Sequence, residues 1–115
     1  GGAIYEDKKQ AEITQEEPQE VTATWYSEKY SCVGEYASCV MADGGIFEDG
    51  LAVCASRRHR LGTKLQLTYG SLRTNCTVRD RIGPRYPERI DLSPAVFAEL
   101  APLERGKIIV RVLEI

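Results

Sequence analysis

Two aspartates, Asp80 and Asp91, are the side chains of this sequence best placed for acid–base chemistry. They stand in residues 79–94, RDRIGPRYPERIDLSP, between two strand-like runs. Asp80 closes the alternating run Cys76-Thr77-Val78-Arg79, and Asp91 lies two residues before a helix start at Ser93-Pro94. A carboxylate at the end of a backbone element, beside Gly and Pro turns, is exposed by the loop while the scaffold fixes its direction. Such a pair can divide labour, one acid protonating a leaving oxygen while the other accepts a proton or a substrate hydrogen bond. Plainer roles stand beside this one. Asp91 could cap the following helix, and Asp80 could pair with Arg79, Arg81 or Arg85.

Other groups able to meet a ligand are few. Trp25, the single tryptophan, and Tyr26 are neighbours in an alternating run, so they point to opposite faces and one of them can reach a groove as a stacking platform. His59, the single histidine, sits in the basic stretch Arg57-Arg58-His59-Arg60 and reads as a surface residue. The cysteines Cys32, Cys39, Cys54 and Cys76 are separated by six, fourteen and twenty-one residues. Zinc sites favour pairs two to four residues apart, so the reading is no metal and two disulfides. Of the three possible pairings, Cys32 with Cys39 closes a local loop and Cys54 with Cys76 joins two strands.

The elements that must hold these groups follow from period and punctuation. Residues 1–20 carry six acids against Lys8 and Lys9 and no sustained apolar period, which predicts a flexible acidic linker or tether. The folded domain is expected over residues 21–115. Residues 21–26 alternate as a strand, and residues 27–41 read as a loop stapled by the first cysteine pair. Ala42-Asp43-Gly44-Gly45 is a turn, with Phe47 a core anchor after it. Residues 51–55 are wholly apolar, as in a strand buried on both faces. Lys64-Leu65-Gln66-Leu67-Thr68-Tyr69 has period two, turns at Gly70-Ser71, and returns antiparallel over residues 73–79. Ser93 as N-cap and Pro94 in the first turn predict a helix to about Leu100, packing through Val96, Phe97 and Leu100. Residues 107–115 form a last strand. Five or six short strands with a late helix make a small β-barrel.

Charge narrows the partners. The chain has 115 residues and a formal charge of −2; outside the first twenty residues the balance is +2, with nine basic residues between Arg57 and Arg89. These arginines alternate along strands without interleaved aromatics, the pattern of solvated faces and ion pairs, so no nucleic-acid partner is expected. No run approaches a transmembrane segment. The cysteines imply an oxidising compartment, hence a secreted or periplasmic, cell-envelope protein whose signal or lipid anchor would precede residue 1. The expectation is a monomer.

Five collinear motifs go further: ATWYS at residues 23–27, ADGGIF at 42–47, LAVCASRRHRLGTKLQL at 51–67, VRDRIGP at 78–84 and RIDLSPAVFAEL at 89–100. Together they resemble the rare lipoprotein A family, related to expansins, barwin-like proteins and membrane-bound lytic transglycosylase A. The resemblance covers residues 21–115. It implies a mainly β fold, a six-stranded double-psi β-barrel with one or two short helices, and no cofactor. It also implies a cell-wall glycan as partner, peptidoglycan favoured. Active members are lytic transglycosylases that leave a 1,6-anhydro end. Asp80 matches the aspartate of the family's DRGP-like motif, here DRIGP, and Asp91 that of its IDLS motif, so both become the catalytic candidates. Tyr26, Trp25, Ser93, Asp43 and Ser56 complete the substrate-contacting set. The sequence departs from the family at two positions, with Gly45 where members carry a glutamate and Ser56 where they carry a histidine. Non-catalytic alternatives are an expansin-like carbohydrate-binding or wall-loosening module and a secreted partner-binding barrel.

Overall fold

The computed structural model describes residues 17–32 and 39–115. The six strands are β1 (Gln19–Trp25), β2 (Val53–Ala55), β3 (Lys64–Tyr69), β4 (Leu72–Asp80), β5 (Ile90–Leu92) and β6 (Lys107–Glu114). They close a double-psi barrel in the order β1-β5-β2-β4-β3-β6. Two pairs are parallel, β1 with β5 and β2 with β4, and the other neighbours run antiparallel. Closure removes free sheet edges except where the longer strands β1 and β4 run past their short neighbours β5 and β2.

Alternation builds the core. Val21 and Ala23, Leu65 and Leu67, Cys76 and Val78, Ile90 and Leu92, and Ile108, Val110 and Val112 all point inward. Helix α2 (Pro94–Leu100) adds Val96, Phe97 and Leu100 to the same cluster. A second, smaller cluster of Met41, Phe47 and Val53, with Tyr26 and Leu51 against it, packs outside the barrel on β2. This is how β2 comes to be buried at all three residues.

Both disulfides form as expected. Cys32 and Cys39 have Cα atoms 5.1 Å apart, and Cys54–Cys76 bridges parallel β2 and β4 at 5.8 Å. Disulfides of this kind fit an extracellular compartment. Among the described residues no helix is long and apolar enough to cross a membrane.

The structure departs from the sequence reading in several places. Strand β1 begins at Gln19, two residues inside the stretch assigned to the tether, and residues 1–16 of that stretch lie outside the described residues. The segment taken as loop contains a four-residue helix, α1 (Glu28–Ser31). Asp91 is in the middle of β5, not in a loop, because Ile90 and Leu92 are both drawn into the core. Asp91 is not the helix cap either. Ser93 takes that role: its Oγ accepts from Val96 N at 3.3 Å and donates to Leu51 O, and the residue is fully buried. Ser93 therefore joins the helix start to the loop before β2 instead of facing a ligand. Ser93→Ala is expected to cost about 1–2 kcal/mol in chemical denaturation, the lost cap together with an unsatisfied Leu51 carbonyl.

Candidate functional site

Strand register aligns four residues in a row across β1, β5, β2 and β4. Thr24 pairs with Asp91, Asp91 with Ala55, and Ala55 with Asp80. The two acids thus flank β2, about 10 Å apart at Cα from two strand spacings, with only the methyl group of Ala55 between them. Asp91 faces outward by simple alternation. Asp80 does not: unbroken alternation from Cys76 and Val78 would turn it into the core. The register of β2 against β4 breaks at this point, from Cys54–Val78 to Ala55–Asp80, so Arg79 is an extra residue in β4. This β-bulge brings Asp80 onto the face of Asp91, the re-aiming that bulges perform beside functional sites.

Asp91 is mostly buried, and burial pushes its carboxyl up to about 6. The hydroxyl of Thr24 donates to its Oδ1 at 3.0 Å and works against that rise, the charge of Asp80 adds to it, and Arg89 opposes it. Asp91 is therefore a carboxyl group able to give and recover a proton near neutrality. Asp80 is a hub of accepted hydrogen bonds. Its Oδ1 receives Ala42 N at 3.0 Å and Arg81 N at 2.9 Å, and its Oδ2 receives the Tyr26 hydroxyl at 3.4 Å. No ion pair to Arg79, Arg81 or Arg85 forms at Asp80 among the described residues, because Arg79 turns to Asp43 and Arg81 to the Ser56 and His59 carbonyls.

Tyr26 follows β1 and continues its pairing through Tyr26 N to Leu92 O at 3.0 Å. Its ring stacks on Phe47 with centroids 4.4 Å apart, which fixes the hydroxyl over Asp80. Burial, then the charges of Asp80 and Asp91, raise its phenol well above the usual range, so it stays a donor. Trp25 goes the other way: its indole Nε1–H donates to Leu103 O at 2.8 Å and the ring packs on the main core, outside this constellation.

A hairpin over residues 40–46, joined by the Val40–Ile46 bridge, forms the rim. Asp43 in its turn accepts from Arg79 Nε at 2.6 Å and from Gly45 N at 2.8 Å, and these bonds hold its carboxyl below the usual range. A Cβ on Gly45 would overlap the Arg79 guanidinium, so glycine here makes room for that side chain. Ser56 is buried, with Oγ accepting from Arg58 N and its carbonyl from Arg81. His59 is less of a surface residue than its basic neighbours suggest, because Nδ1 lies 2.8 Å from Glu114 Oε2 on β6.

Of the residues the sequence singled out, the structure brings together Asp80, Asp91 and Tyr26, with Asp43 at the rim. Trp25, Ser56 and Ser93 serve packing, a turn and a cap. Thr24, Arg79 and Phe47 belong to the site and were not assigned to it. Thr24 was legible, since it lies one alternation before Tyr26; Arg79 was not, because nothing in the sequence marks the bulge.

No protein-family model matches this chain, and no curated protein matches it significantly. Solved structures do. The Streptomyces papain inhibitor superposes with a TM-score of 0.65 at 22% identity, over 84% of this chain and 94% of that one. The expansin of Clavibacter michiganensis matches as an Asp-to-Asn mutant in complex with cellohexaose, with TM-score 0.62, 17% identity and 85% of this chain. The same expansin without ligand gives 0.61 and 21%. This chain spans 50% of the expansin's length. At these identities the likeness establishes the barrel fold.

Proposed function

We propose that this barrel is an extracellular module that engages cell-wall glycan in the groove between Tyr26, Asp80 and Asp91, and that Asp91 exchanges a proton with the glycosidic oxygen there. The observation that carries the reading is Asp91 itself, a mostly buried carboxyl near pKa 6 on an outward strand face with a second carboxylate beside it. The expansin solved with cellohexaose, a glucan oligomer, supports a glycan as ligand. The resemblance of the motif order to the rare lipoprotein A family supports peptidoglycan as the polymer.

The corresponding reaction is a lytic transglycosylation. Protonated Asp91 gives its proton to the glycosidic oxygen as the C1–O bond breaks. The sugar's own 6-hydroxyl oxygen then bonds to C1, and its proton returns to Asp91, so the acid is regenerated without water. Asp80 accepts a substrate hydroxyl, and Tyr26 keeps the groove wall in place.

Incubation with intact and peptide-stripped peptidoglycan, followed by mass spectrometry of the soluble fraction, tests this directly. Anhydro-ended fragments that disappear with Asp91→Asn are the expected result. Protein that pellets with the polymer and releases nothing would leave a binding or wall-loosening module without the chemistry. Absence of both product and pelleting would overturn the glycan reading.

A second reading has one observation in its favour. The papain inhibitor is matched over 94% of its length, against half of the expansin. A secreted barrel that binds another protein is thus the competing function, and inhibition of papain at micromolar concentration is its test.

A further inference from the structure

We propose that Arg79 forms a subsite for a carboxylate carried by the glycan, so that the groove selects acidic over neutral sugar polymers. The inference rests on the glycan reading above and adds the class of polymer.

The argument starts at the bulge. As the extra residue of β4, Arg79 leaves the strand's regular alternation, and its guanidinium passes over Gly45, where any side chain would displace it. One donor is engaged: Nε–H reaches Asp43 Oδ2 at 2.6 Å. The guanidinium makes no other hydrogen bond among the described residues, and the side chain is 32% exposed. Guanidinium carries five donors in a planar fork that matches a carboxylate edge to edge, and apart from Nε–H its donors make no bond among the described residues.

Position makes these donors relevant. Asp43 N bonds to Arg79 O at 3.1 Å, and the next hairpin residue, Ala42, bonds through its N to Asp80. The charge of Arg79 is also felt at the Tyr26 hydroxyl. The base therefore borders the same constellation as the two acids. A neutral glucan would use only the hydroxyl-accepting side, at Asp80. A sugar carrying both hydroxyls and a carboxylate, whether a uronic acid or a lactyl ether on an amino sugar, would use both sides. Asp43 holds the guanidinium in place with a bond of the type that the ligand's carboxylate would make, so it competes with that ligand.

The test is equilibrium binding of four hexamer-length probes to the full chain: a neutral glucan, a neutral N-acetylglucosamine oligomer, a uronic acid oligomer and a peptide-free amino-sugar oligomer bearing lactyl carboxylates. One of the two acidic probes is expected to bind at least tenfold tighter than either neutral one, as suits a charge-assisted bond, and which of them does so identifies the source of the carboxylate. Arg79→Gln should bring the ratio close to one. Asp43→Asn, which frees the guanidinium, should raise affinity for the preferred acidic probe about threefold, and circular dichroism establishes that both variants are folded. Equal binding of neutral and acidic probes overturns the subsite and leaves the glycan reading standing. Binding of none of the four overturns both.

Discussion

Replacing Asp91 with asparagine is expected to stabilise the protein at pH 7.5 while removing any anhydro product. The carboxyl titrates at about 6 in the folded chain against an ordinary aspartate value of 3.8. Between these two values the folded state holds more protons than the unfolded one, so stability falls as pH rises from about 4 to about 6 and stays lowered above. The full shift corresponds to a ceiling of about 3 kcal/mol, and solvent reaching the partly exposed Asp91 reduces the expected gain to about 2 kcal/mol. Asparagine cannot ionise and keeps an oxygen for the Thr24 hydroxyl, so its stability curve should lack this fall. Thermal or chemical denaturation of both proteins from pH 3.5 to 8 checks it: the two should converge at the acid end and separate with rising pH. A constant difference across that range would mean that Asp91 carries no raised pKa. The same variant should lose at least 100-fold in product formation, the scale of a missing general acid. A gain in stability paired with a loss of activity marks a residue kept for chemistry.

Loss of the Cys54–Cys76 bridge should be the most damaging change to the fold. It closes a loop of 22 residues in sequence separation and so removes about 3 kcal/mol of chain entropy from the unfolded state. Both sulfurs lie inside the main core, with Cys54 0% and Cys76 2% exposed, so the double Cys→Ala variant also leaves a cavity worth about 1 kcal/mol or more. Against the 5–15 kcal/mol typical of a domain, the variant should melt roughly 15–20 °C lower. The functional effect is local as well. The bridge fixes β2 against β4 one residue from the register break, and Ala55 and Asp80 depend on that alignment. A variant retaining its melting temperature within a few degrees would contradict this account.

Much of the barrel was legible because its longer strands alternate strictly, β4 alone breaking the pattern, and only at its end. Leu65 and Leu67 or Ile108, Val110 and Val112 declare their inward face in sequence, and Ser93-Pro94 declares the helix start. Cysteine spacing spoke against zinc, and of the three pairings it left open, the one that closes a local loop and joins two strands is the one that forms. Strand β5 was hidden because three residues make no period, and its pairing partners, β1 and β2, are remote in sequence. Helix α1 is too short to show a helical period. In the site, Asp80 and Asp91 could be chosen as residue types, but their common face depends on a bulge that only strand-to-strand register reveals. The Arg79–Asp43 and His59–Glu114 pairs join positions 36 and 55 residues apart, which no local pattern encodes.

The bulge at Arg79 also bears on how such a groove can be gained and lost in evolution. A site set by side-chain identity changes one substitution at a time, whereas here the rim base is carried by an inserted residue and the acid pair keeps its face with or without it. Deleting the single codon for Arg79 would restore strict alternation along β4, leave Asp80 directly after inward Val78 and so still opposite Ala55 on the outward face, and remove the guanidinium from the rim in one event. Inserting one codon at this point of an unbulged ancestor would do the reverse. Lineages of this barrel can therefore part in function through an indel within a strand, where sequence comparison expects the least length variation.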